Sequence, residues 1–213
     1  VDGHDYVGNA LARGAIGAVI ERDVQVDTRV IHLDLTAAPG QAARDLSADA
    51  QPPLLIKVPD VLSAMQRAAR WWRRQLDVRV IGVTGSVGKT TTKEIAGHVL
   101  SQRYAVTWSR GSYNNEIGLP LTLLTLTGEC ERLVQEMGMY VRGDIRFLAD
   151  LARPDVGIVT NVAPVHAERA GTIEEIALGK RELVEALPPA PGGIAILNAD
   201  DARVWEMADH TAA

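Results

Sequence analysis

The apolar and polar positions divide the chain into two stretches of different texture. Through the first 60 residues, short apolar runs at 16–20, 30–35 and 54–58 have the length of strands. Glycines, prolines and acidic residues separate them, and residues 6–13 carry a short helical pattern before the first run. From Asp60, an N-cap residue type, Val61, Leu62, Met65, Ala68, Ala69, Trp72 and Leu76 recur at helical spacing, with Arg67, Arg70, Arg73 and Arg74 distributed around them. This predicts an amphipathic helix with a solvated basic face. After residue 78 the texture becomes a βα series. Strand-like runs at 78–83, 133–136, 156–160 and 194–197 are separated by helical stretches, among them 144–152 and 173–187. In the helix after the first of these strands, Ile95, Ala96, Val99 and Leu100 are expected to share the apolar face. The predicted fold class is α/β: a small N-terminal α/β domain over 1–59, a connecting helix over 60–77, and a second domain over 78–213 whose mostly parallel sheet is covered by helices.

Composition narrows the class without naming a function. Among 213 residues, 46% are apolar and 23% charged, which removes collagen-like and broadly disordered readings. A net charge of −5 argues against nucleic acid or an anionic membrane surface as the main partner. Trp71-Trp72 beside arginines could serve as a base-stacking platform, but a packing face explains the pair without a nucleic acid. No apolar run approaches the ~18–20 residues of a membrane span. Cys130 is the single cysteine and cannot form an internal disulfide, which fits a reducing, cytoplasmic setting. The opening Val1-Asp2-Gly3-His4-Asp5 has no initiator Met and no signal-peptide pattern, so the chain reads as a piece of a longer one.

The strongest chemical signal lies in residues 80–92. A β-branched strand runs through Gly85-Ser86-Val87-Gly88-Lys89-Thr90-Thr91 into a helix, so backbone amides and the positive helix end converge on a spot suited to phosphate. Lys89 can reach the β/γ-phosphates and the Thr90 hydroxyl can ligate Mg²⁺. The loop is shorter than a strict P-loop, because the position five before Gly88 is Val83 rather than glycine. A P-loop kinase or GTPase would be expected to keep the strict spacing.

The wording Thr84-Gly-Ser-Val-Gly-Lys-Thr-Thr-Thr92 resembles the Mur ligase family of ATP-dependent, amide-forming enzymes of peptidoglycan synthesis. The segment Tyr113-Asn114-Asn115-Glu116-Ile117-Gly118-Leu119-Pro120 resembles the MurF type within it. Glu136-Met137-Gly138-Met139, Asn161-Val162-Ala163-Pro164-Val165-His166 and the upstream Asp2-Gly3-His4-Asp5-Tyr6 with Gly14-Ala15 are similar to further motifs of that type, in the same order. The resemblance covers nearly the whole chain. It implies a P-loop ATPase domain that joins D-alanyl-D-alanine to UDP-N-acetylmuramoyl-tripeptide through an acyl phosphate, with ATP and two Mg²⁺ ions. It also implies a cytoplasmic monomer with small-molecule substrates, serving cell-wall synthesis and with it cell shape and division. The alternatives are a sister, MurE-like ligase adding one amino acid, and a non-catalytic nucleotide-binding module. The family's C-terminal domain is absent from the sequence, so the chain alone is expected to be inactive.

The resemblance also assigns roles, each beside a plainer reading. Glu136 ends a predicted strand and would be a solvent carboxylate if it stood alone; by resemblance it shares a Mg²⁺ with Thr90. His166 reads as a loop histidine, as His4, His32, His98 and His210 do, but by resemblance it binds a second Mg²⁺. Lys180 falls inside the apolar stripe of Ile173, Ile176, Ala177, Val184 and Leu187. Either its ammonium snorkels to water, or it is a partly buried amine of lowered pKa. The family places a CO₂-carbamylated lysine at this distance from the histidine, holding the second Mg²⁺. Lys89, His166 and Lys180 are thus the catalytic candidates. Asn114 and Asn115 are turn formers that by resemblance face the γ-phosphate and the muramoyl peptide. Asn198, Asp200 and Asp201 resemble a family segment and receive no role, since either aspartate could cap the last helix.

Overall fold

The computed structural model describes residues 2–37, 51–164 and 171–213. Two compact units divide the chain, one ending at Met65 and the other running from Gln66 to Ala213. The boundary falls inside a helix rather than in a linker.

In the first unit, a 3₁₀ turn leads into α1 (Val7–Ala12), and β1 (Gly17–Ile20), β2 (Ile31–Asp34) and β3 (Leu54–Lys57) form a parallel sheet in the order β1-β3-β2. Val7 and Leu11 of α1 pack on Ile20 and Leu55, the small core that the apolar runs supply. His4 is not a free surface histidine. Its Nδ1 contacts Asp2 Oδ1 at 2.6 Å while its Nε2 accepts from the Glu21 amide, which sets the tautomer.

The helix α2 (Val61–Gln75) begins at Asp60, whose carboxylate accepts from the Ser63 amide as an N-cap should. Its basic residues are not all solvated. Arg73 is buried and donates to the carbonyls of Ala152, Leu76, Val78 and Arg153, a knot of chain ends that supplies the partners a buried guanidinium requires. Trp72 donates its ring N–H to the Leu126 carbonyl, so one member of the tryptophan pair packs inward while Trp71 stays exposed.

The second unit follows with β4 (Arg79–Thr84), α3 (Lys89–Leu100), β5 (Val106–Trp108), α4 (Gly118–Leu124), β6 (Arg132–Glu136), α5 (Asp144–Ala152), β7 (Val156–Val159), α6 (Ile173–Glu185), β8 (Ile194–Leu197) and α7 (Ala202–Trp205). Its five strands are all parallel, in the order β5-β6-β4-β7-β8. Alternate residues of β4 feed opposite helical layers. Val80 joins the cluster of α4, α5 and α6, and Ile81 and Val83 join that of α3. Gly82 and Gly157 stand opposite each other in register, and a Cβ on Gly82 would come within 2.9 Å of Leu183 Cδ1, so the pair lets α6 lie close on the sheet.

Two elements differ from the sequence expectation. The segment after α3 forms β5 and then α4, both too short to show a period. On α3, Ile95 and Val99 are exposed, and the inward face consists of Lys93 and Gly97 with the half-buried Ala96 and Leu100. Trp108 takes the room that Gly97 leaves, and the Lys93 ammonium is satisfied by backbone carbonyls, so a polar and a side-chain-less residue supply the buried stripe. No helix among the described residues is long and apolar enough to cross a membrane.

Candidate nucleotide site

With β4 central, the chain turns to one side for β5 and β6 and to the other for β7 and β8, so the strand ends around β4 form a switch-point crevice. The loop after β4 lies there. Gly85 has φ +147°, and a Cβ would sit 1.8 Å from Thr160 Oγ1, so neither backbone nor space admits a side chain. Gly88 takes the left-handed conformation and caps α3. The first intrahelical bond runs from the Thr92 amide to the Gly88 carbonyl. The amides of Gly88, Lys89, Thr90 and Thr91 therefore lack helical acceptors and face the crevice as a cradle for anionic oxygen. The amides of Ser86 and Val87 do not belong to that cradle, because both donate to Asn161. Lys89 Nζ bridges back to the carbonyls of Gly85, at 2.9 Å, and Ser86, at 3.3 Å.

The end of β6 reaches the same crevice. Glu136 is 2% exposed, so it is no solvent carboxylate. Its Oε2 accepts from Thr90 Oγ1 at 2.8 Å and its Oε1 from Asn114 Nδ2 at 2.7 Å. The two hard oxygens of Thr90 and Glu136 at the mouth of an anion cradle fit a magnesium ion by donor chemistry. Among the described residues, no three His, Cys, Asp or Glu side chains cluster as a metal site. Asn114 thus orients the carboxylate, and Asn115 braces the turn before α4 by accepting the Gly118 amide at 2.9 Å. Both still line a cavity of about 120 Å³ with Lys89, Glu116 and Met139.

Lys180, on α6, is 5% exposed and has no hydrogen-bond partner among the described residues. Burial, and after it the positive charge of Lys89, pushes its amine down to about 8 from 10.5. The side chain is largely buried, as the amine reading of this residue asks, and Lys180 lies within electrostatic reach of the loop lysine. His166 lies outside the described residues.

The family description of the Mur ligase middle domain matches residues 83–213, more than half of the chain. The chain belongs to the Mur ligase family. The UDP-N-acetylmuramoyl-tripeptide--D-alanyl-D-alanine ligase of Synechocystis sp. is 41% identical over 207 residues, 97% of this chain and 40% of that protein. The enzyme of the same name from Escherichia coli is 34% identical over 200 residues, 94% of this chain and 38% of that protein. Among solved structures, the MurF ligase of Thermotoga maritima in complex with ADP superposes with a TM-score of 0.73 at 32% identity, over 99% of this chain and 43% of that one. The chain thus spans about two fifths of the length of the relatives it matches.

Several residues that build this Mur ligase site carry no distinctive spacing. Lys93, one turn after Lys89 and fully buried, donates to the carbonyls of Ser109 and Gly111, while Ser109 Oγ accepts from the Glu136 amide. Gln135 holds the carbonyls of Tyr113 and Glu136. Asp201 does cap α7, but its second oxygen also accepts from the Val162 amide at 2.7 Å. Of these, only Asp201 stood inside a segment that the sequence singles out. For the rest, their partners lie too far along the chain for spacing to reveal.

Proposed function

We propose that this chain supplies the substrate-nucleotide and ATPase parts of a cytoplasmic ligase that joins D-alanyl-D-alanine to UDP-N-acetylmuramoyl-tripeptide. The observation that carries the reading is the convergence, at one strand-end crevice, of the Gly88–Thr91 amides, which have no acceptor among the described residues, Lys89 and the Thr90–Glu136 oxygen pair. In this reading the amides of Gly88–Thr91 and the Lys89 ammonium bind the nucleotide phosphates and balance the charge that grows on the transferred phosphoryl group. The acceptor carboxylate takes that phosphoryl group, and the dipeptide amine then displaces phosphate to form the amide. Thr90 and Glu136 would hold magnesium, which supplies electrostatic stabilisation when bound. Asn114 keeps the Glu136 carboxylate turned toward Thr90.

The partly neutral Lys180 amine supports the family's modification. Its nitrogen lone pair adds to the carbon of CO₂ and a proton leaves, turning a buried cation into a carbamate anion that, with His166, would serve a second magnesium ion. Peptide mass spectrometry under CO₂ should show Lys180 heavier by one CO₂.

Two measurements test the function. Calorimetric titration of the chain with ATP and Mg²⁺ should show binding that Lys89→Ala removes; no binding by the unaltered chain overturns the nucleotide reading. ADP release by the gene product, given ATP and the UDP-linked tripeptide, should require D-alanyl-D-alanine. Release with a single amino acid in its place would identify the sister ligase instead.

A further inference from the structure

The loop after β4 is held from behind by the turn that follows β7. The Ser86 amide donates to the Asn161 carbonyl at 3.0 Å. The Val87 amide donates to Asn161 Oδ1 at 2.9 Å, and the Val87 carbonyl accepts from Asn161 Nδ2 at 3.2 Å and from Thr160 Oγ1 at 2.7 Å. Ser86 Oγ accepts from the Ala163 amide at 2.8 Å and donates to the Ala163 carbonyl at 2.9 Å. The turn is anchored in its own right, since Asn198 Nδ2 donates to the Thr160 carbonyl and Asp201 accepts from the Val162 amide.

We propose that Asn161 is a positioning residue for the nucleotide loop. Its carboxamide matches both polar groups of Val87 as a neighbouring strand would, and so fixes the peptide just before Gly88. Hydrogen bonds must do this, because the Val87 side chain is 58% exposed and packing cannot hold it. Gly88, next in line, adds no side-chain restraint, being a glycine at positive φ with open space where a Cβ would stand. The Gly88 amide, which shares its peptide plane with the Val87 carbonyl, therefore points where Val87 is held, and the amides of Lys89–Thr91 follow from there along α3.

The inference rests on the nucleotide reading for its consequence but not for its test. Hydrogen exchange of single amides, followed by NMR in the ligand-free chain, reads the latch directly. In Asn161→Ala the Val87 amide loses its acceptor and should exchange about 2- to 13-fold faster, the fold-change of one lost hydrogen bond of about 0.5–1.5 kcal/mol. Amides of β4 and of the middle of α3 should keep the unaltered rates, which a general loss of structure would not allow. Asn161→Asp, isosteric, keeps the acceptor for the Val87 amide but turns an oxygen toward the Val87 carbonyl, and it gives a second reading should the alanine variant not fold. Both variants should bind ATP about tenfold more weakly. Val87 exchange within twofold of the unaltered chain in a folded Asn161→Ala overturns the proposal, as does ATP affinity within twofold of the unaltered chain in a folded Asn161→Asp. So does loss of the whole fold in both variants, since Asn161 would then hold the domain rather than the loop. If the unaltered chain binds no ATP, the nucleotide reading falls while the exchange rates still decide the latch.

Discussion

Lys180 allows a prediction with a worked magnitude. The residue is 5% exposed, and its amine finds no hydrogen-bond partner among the described residues and lies in the field of Lys89. Its pKa falls from 10.5 in the unfolded chain to about 8 in the folded one. At about 1.4 kcal/mol per pH decade, carrying the protonated amine costs the fold about 3 kcal/mol. The sign follows from proton counts. Between pH 8 and 10.5 the unfolded chain binds more protons at this site than the folded one, so the contribution to stability rises with pH across that window. Below pH 8 the whole penalty is present. Lys180→Met keeps most of the stem and removes the charge, so at pH 7 it should be the more stable protein by about 3 kcal/mol, or roughly 6–12 °C in Tm. That advantage should shrink by about the same amount toward pH 10.5. Urea denaturation in metal-free, CO₂-stripped buffer measures it. All four tryptophans, Trp71, Trp72, Trp108 and Trp205, belong to the second unit, so their fluorescence reports that unit alone. Stability curves of the two proteins that run parallel from pH 7 to 10.5 would refute the reasoning.

Three further outcomes follow from named contacts. Arg73→Met should cost about 2–4 kcal/mol in urea denaturation, because buried carbonyls of Ala152 and Val78 lose their donor, whereas the exposed Arg74→Ala should stay within about 0.5 kcal/mol of the unaltered chain. Gly85→Ala must move Thr160 or the loop and adopt a φ that suits glycine; a loss of about 1–3 kcal/mol and of ATP binding, by denaturation and calorimetry, is expected. Glu136→Gln leaves one acceptor oxygen where Thr90 and Asn114 now use two, so calorimetry should show Mg²⁺-dependent ATP affinity falling at least about tenfold while metal-free binding changes little.

Much of the second unit was legible because its signals are local. The strands near 78, 133, 156 and 194 announced themselves as apolar runs, and the turn from β4 into α3 by glycines whose spacing suits only a tight turn before a helix. Placing Lys180 on a buried stripe needed only the period of a helix. The same rule misread α3, because periodicity counts apolar side chains, and the inward positions there are a lysine satisfied by carbonyls and a glycine that a tryptophan covers. Arg73 escaped for the same reason, since an arginine on a basic helix gives no sign that chain ends will gather around it.

The sequence by itself determined most of the order of strands and helices, all but the short β5 and α4, together with the glycines of the nucleotide loop and the residue types able to bind phosphate and magnesium. These follow from backbone preference and from patterns a few residues long. Only the tertiary structure decided which distant groups meet. Thr90 reaches Glu136 across 46 positions and Val87 reaches Asn161 across 74. Those meetings depend on β4 lying between β6 and β7 in a particular register, which the packing of whole layers settles and no local pattern records.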